Sequence, residues 1–152
     1  MKKLLLICLT LLLGFSGSAS AELFKTPAKW TKLPGASDDS STTYYRLHRV
    51  KGDRIKMWWL YDNKTATYTI TGKYLSAKRL SEYDCKKGLV SIRWIITFSE
   101  NMGEGWPVTD DDYEYTDNMA WVGYLPWGRS AREFKFACKT ALLHKLKKLD
   151  KK

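Results

Sequence analysis

Residues 44–62, YYRLHRVKGDRIKMWWLYD, decide the fold. Tyr44 to Val50 is a run of β-favouring residues, Lys51-Gly52-Asp53 a tight connection, and Arg54 to Asp62 a second run, so the stretch reads as a β-hairpin. Side chains alternate along a strand, which sets Ile55, Met57, Trp59 and Tyr61 on one face and Lys56, Trp58, Leu60 and Asp62 on the other. The first set makes a core face and the second is mixed.

Downstream, Ala66 to Tyr74 and Leu75 to Cys85 continue a meander, with Gly72 read as a bulge. Gly88 to Ser99 is the most apolar run and predicts a central strand, with Val90, Ile92, Trp94, Ile96 and Phe98 on one face and Leu89, Ser91, Arg93, Ile95 and Thr97 on the other. Glu100 to Asp117 holds seven acids and no Lys or Arg, with Gly103, Gly105 and Pro107 between them, and reads as a loop or loose hairpin. Asn118 to Trp127 turns apolar again until Pro126 and Gly128 stop it. Ser130 and Glu133 have the spacing of a capping box. Phe134, Ala137, Cys138, Ala141, Leu142, Leu146 and Leu149 then recur at helical spacing. Upstream, residues 22–43 are rich in Pro, Gly, Ser, Thr and Asp and read as an irregular leader docked through Trp30. The expected fold is α+β: an antiparallel meander sheet of about five to six strands packed against a C-terminal amphipathic helix, in a single domain over residues 44–152. The repeated strand-helix-strand rhythm of a parallel nucleotide-binding sheet is missing.

The first 21 residues stand apart. Met1-Lys2-Lys3, the apolar run Leu4 to Leu13 and the small-residue site Ala19-Ser20-Ala21 read as a cleaved secretory signal peptide, too short in its apolar run to span a bilayer. Cys8 lacks the small neighbour of a lipid-attachment site. An exported protein in the periplasm, at the cell surface or secreted is expected. Cys85 and Cys138 then remain, and in an oxidising compartment an isolated pair most simply forms one disulfide.

With 152 residues, 44% hydrophobic, 14% aromatic and a net charge of +10, the chain can build one core and is no multidomain or polytopic machine. Six lysines crowd the last stretch, Lys139, Lys145, Lys147, Lys148, Lys151 and Lys152, while residues 100–117 are acidic. Basic charge beside exposed aromatics suits an anionic glycan or an acidic protein, whereas nucleic acid is not expected for an exported chain without a stacking motif. A two-histidine nuclease built on His48 and His144 is poorly supported, because both sit among cations. Asp110, Asp111, Asp112, Glu114 and Asp117 lack the spacing of a calcium loop, and no metal site is expected. None of the nucleophile, zinc or phosphate-loop motifs is present, so an enzyme is not expected.

Trp30, the Tyr44-Tyr45 strand, the Trp-x-Leu-x-Asp strand ending at Asp62, Ser81-Glu82-Tyr83-Asp84-Cys85, Asn101-Met102-Gly103-Glu104-Gly105-Trp106, Trp121, Pro126 and Cys138 come in an order that resembles the surface-adhesin protein E family of Gram-negative bacteria. The resemblance covers roughly Trp30 to Lys139. It implies an antiparallel sheet with a disulfide-tied helix and an exported, non-enzymatic adhesin for host matrix or plasma proteins of the laminin and vitronectin type. It also implies links to dimerisation and to haem. The residues themselves lead to no expected cofactor; were haem bound, His48 or His144 would be the candidates to ligate its iron. The chain departs from the family in lacking a lipid-attachment cysteine and in its lysine tail. The alternative reading is a periplasmic inhibitor or immunity-type protein of a hydrolase, acting through the acidic loop Glu100 to Asp117.

Overall fold

A computed structural model describes residues 29–70, 72–108 and 120–150. The expected signal peptide, Asp110, Asp111, Asp112, Glu114, Asp117, Lys151 and Lys152 lie outside those residues. Six strands, β1 (Thr31–Ser37), β2 (Ser41–Lys51), β3 (Arg54–Thr69), β4 (Gly72–Asp84), β5 (Leu89–Phe98) and β6 (Val122–Gly123), form one antiparallel sheet in sequence order, followed by helix α1 (Gly128–Leu149). The α+β meander with a C-terminal helix is therefore as expected.

The hairpin read from residues 44–62 pairs Tyr45 with Trp59 and Lys51 with Arg54. Ile55, Met57, Trp59 and Tyr61 form the inner face with Ala77 and Tyr83, and Phe134, Ala137 and Ala141 of α1 close over them. Alanine at the two central helix positions lets the helix backbone approach the sheet, and larger rings fill the flanks. Tyr124 stacks on Phe134 at 4.1 Å and Tyr45 meets Phe136 edge-on at 4.4 Å. The Cys85–Cys138 disulfide, with a Cα–Cα distance of 5.5 Å, ties the end of β4 to the same helix.

Four expectations are corrected. Part of the expected leader is a strand: Thr31–Ser37 pairs with β2, and its anchors are the buried Leu33 and Ala36, while Trp30 is only half-buried. The chain reverses between Thr69 and its partner Gly72, so that residues 66–69 end β3 and residues 72–74 begin β4; Gly72 (φ +148°) closes the hairpin and is not a bulge. The bulge of this strand pair lies instead between Asp62 and Thr67.

β5 changes face midway. Ser81 pairs with Ile92 but Leu80 with Trp94, which leaves Arg93 as an extra residue. Val90 and Ile92 therefore share the helix side, while Trp94, Ile96 and Phe98 turn outward and bury with Leu80 and Trp58 in a second cluster. Strict alternation placed all five on one face; the inserted residue breaks the period.

The capping box also fails to form. The helix starts at Gly128, its N-cap is Trp127 without a side-chain bond, and Ser130 is already inside. Glu133 is drawn inward instead. It is buried, accepts a hydrogen bond from the Tyr61 hydroxyl at 2.8 Å and pairs with Arg79. A guanidinium on the inner face needs a carboxylate more than a helix end needs a reciprocal cap.

Candidate functional site

The inner face is closed by α1, so the sheet's outer face is where chemistry is exposed. Its residues fall into cross-strand rows set by the register. Arg46, Trp58, Leu80 and Trp94 form one row, and Tyr44, Leu60, Lys78 and Ile96 the next. The loop Asn101–Gly105 caps this half. Asp62 accepts from the Met102 backbone N–H at 2.7 Å, Ser76 accepts from the Gly103 N–H at 2.8 Å, and the buried Lys78 amine donates to the Gly103 carbonyl at 2.9 Å. Burial lowers the pKa of Lys78 from its ordinary value. These motif residues build the scaffold.

Beyond the β5 bulge the face becomes charged. Two further rows, Arg49–Lys56–Glu82–Ser91 and Lys51–Arg54–Asp84–Leu89, run across four strands. A cleft of about 560 Å³ opens here, between the β2–β3 turn and the β4–β5 turn that carries Lys86 and Lys87. Its carboxylates are already committed. Glu82 accepts from Arg93 at 2.9 and 3.0 Å and lies 3.7 Å from Lys56. Asp84 lies 3.5 Å from Arg54 and accepts the Lys87 backbone N–H at 3.0 Å. Asp53 is bonded by Lys145 of the helix, which lowers its pKa. The Arg54 and Arg93 guanidiniums stand 5.1 and 5.2 Å from the Trp121 ring centre.

Arg49, Lys51 and Lys87 have no carboxylate partner among the described residues, and Lys86 stands near enough to Asp53 to help Lys145 hold its carboxyl below the usual range. Cations of the face also act on β2 itself. The His48 imidazole is held below its usual range by partial burial first and then by Lys56, Arg46 and Arg49.

Of the lysines singled out from the sequence, Lys139, Lys147 and Lys148 are exposed on α1, and Lys145 reaches the cleft's edge through Asp53. A second cleft of about 340 Å³ beside the disulfide shares Asp53 and Lys86 with the first. The exposed aromatics are not beside the basic cleft: Tyr68 and Trp106 lie at the opposite end of the sheet and Trp127 before the helix. His48 on β2 and His144 on α1 come from separate elements and line neither cleft. Among the described residues no three His, Cys, Asp or Glu side chains converge as metal ligands.

The charged rows escaped the sequence reading, although the signal was present. Cations at Arg49, Lys51, Arg54 and Lys56, spaced by two on either side of Gly52-Asp53, must share a face once the hairpin closes.

No helix among the described residues is long and apolar enough to cross a membrane. No curated protein and no solved structure is significantly similar to the chain. The family model of surface-adhesin protein E matches residues 30–139, from the first residue before β1 to the helix residue after Cys138, and the chain belongs to that family.

Proposed function

We propose that the protein is a non-enzymatic, exported adhesin that attaches to a host matrix or plasma protein of the laminin or vitronectin type. Membership in the adhesin family suggests a surface or exported protein that binds host proteins. The observation that carries the reading is the outer face, half scaffold and half a cationic cleft on whose rim Arg49, Lys51 and Lys87 are uncompensated among the described residues. A net charge of +10 supplies long-range attraction, and a specific contact must add to it.

Solid-phase binding of the oxidised protein to laminin and vitronectin across a salt series tests this. Saturable binding that survives about 0.3 M salt, where exposed charges are screened beyond a few ångströms, is the expected result. Release of all bound protein by moderate salt would leave only a sticky basic surface and refute the proposal.

A further inference from the structure

We propose that the cleft between the β2–β3 and β4–β5 turns binds a linear sulfated glycan through Arg49, Lys51, Lys86 and Lys87. The argument begins with a conflict in the sheet. Arg49 stands opposite Lys56, and Lys51 opposite Arg54, so like charges face each other at consecutive positions of the outer face. Such pairs are destabilising. Glu82 and Asp84 on the next strand compensate the inner cations Lys56 and Arg54, and Arg93 takes the rest of Glu82. Arg49 and Lys51 stay uncompensated on β2, past the point where β1 stops pairing at Thr31–Tyr45. A local charge conflict without an internal remedy is the mark of a surface shaped for something outside the fold.

The chemistry of that partner follows from the layout. Lys86 and Lys87 are exposed on the opposite rim, and on the floor between the rims Arg54, Lys56 and Arg93 outnumber their partners Glu82 and Asp84 by one. Two positive rims over a floor without net negative charge fit an anion lying along the cleft. The four cations sit on two separate segments, the end of β2 and the β4–β5 turn, and three are lysines, so they do not converge as a fork on one compact phosphate. A chain with sulfates repeated along its length meets both rims at once. The proposal rests on the adhesin reading for its setting, yet its test contains no host protein.

The test is a titration of the full oxidised protein with a size-defined heparin oligosaccharide at several salt concentrations. The expected result is binding whose log affinity falls linearly with log salt. Arg49→Gln/Lys51→Gln and Lys86→Gln/Lys87→Gln should each weaken it about tenfold or more and flatten the salt slope by about one to two. Lys147→Gln/Lys148→Gln removes the same charge on the helix and should stay within about threefold of wild type. Equal losses in rim and helix variants, equal binding of the desulfated oligosaccharide, or tighter binding of polyglutamate would each overturn the proposal. A melting temperature raised by the sulfated and not by the desulfated oligosaccharide gives a reading free of any variant, and no rise would overturn it as well. A wild-type protein that fails to bind the oligosaccharide but attaches to laminin or vitronectin in the separate solid-phase assay would sink this inference and leave the adhesin reading standing.

Discussion

Glu133→Leu tests the least expected packing in the fold. The Glu133 carboxylate is buried at 2% exposure between sheet and helix, where it accepts from Tyr61 at 2.8 Å and pairs with Arg79. Leucine fills the space but leaves the Arg79 guanidinium, itself 19% exposed, without its counter-charge. It also leaves the Tyr61 hydroxyl without its acceptor. Breaking one side of such a pair costs about 3–5 kcal/mol, of which an orphaned hydroxyl accounts for about 1. Against a domain stability of about 5–15 kcal/mol this is a large fraction. With a urea slope of about 2 kcal/mol per molar, the midpoint of the oxidised protein should fall by about 2 M. Arg79→Met alone should cost a comparable amount, because it strands the carboxylate. The double variant should recover most of the loss, with a coupling of at least about 2 kcal/mol in the cycle. A single-variant cost under about 1 kcal/mol, or strict additivity in the double, would show that Glu133 is solvated and that the sheet–helix contact is purely apolar.

Ser130→Ala should shift the unfolding free energy by less than about 0.5 kcal/mol in the same urea assay, since Ser130 caps nothing; a loss of about 1 kcal/mol or more, the worth of a real N-cap, would restore the capping box. Gly103→Ala should cost about 2–3 kcal/mol, because a Cβ there would meet Lys78 Cε at 2.0 Å at a φ of +74°, while Gly52→Ala, with open space around it, should cost only about 1. Equal melting-temperature losses for the two glycines would contradict the loop's role as a cap. Burial pushes the Tyr61 and Tyr83 phenols above their usual range. The folded state therefore keeps two protons that the unfolded chain loses above about pH 10, so stability is fully present below that pH and falls above it by up to about 1.4 kcal/mol per pH unit for each tyrosine. The lowered amine of Lys78 acts in the opposite sense and is spent by about pH 10.5. Urea midpoints measured from pH 9 to 11.5 that stay flat would show that these phenols ionise freely in the fold.

How much of this was legible depends on whether the periodicity stayed intact. The inner face of β3 and the helix positions Phe134, Ala137 and Ala141 follow clean periods of two and about 3.6, and they pack as those periods require. β1 was hidden because Pro34, Gly35 and Ser37 carry turn chemistry, while its pairing with β2 and the burial of only Leu33 and Ala36 make it a strand. The face switch in β5 was hidden for another reason. A single inserted residue, Arg93, leaves no trace in composition, and only the partner strand reveals it. The role of Glu133 is not legible because a capping spacing is local, whereas the demand of Arg79 comes from a strand 54 residues away in sequence.

The candidate site obeys a different logic from the motifs that mark the family. Glu82, Tyr83, Asp84 and Cys85 bury, pair or cross-link. Asp62 and the Met102–Gly103 turn lock the loop over Lys78. These residues define a sheet with one face closed by a helix and half of the other closed by a loop. Arg49, Lys51, Lys86 and Lys87 belong to none of those motifs, yet they stand where the scaffold leaves its remaining surface open. The division has a physical basis. Residues that hold a fold together must satisfy one another, so their charges cancel inside the protein. Residues that hold a ligand must leave charge unsatisfied until the ligand arrives. The like-charged square Arg49–Lys56–Arg54–Lys51 meets the second condition on its outer side and the first on its inner side. Specificity in this protein is then to be sought at the turns between strands, and the motifs explain why those turns are held side by side.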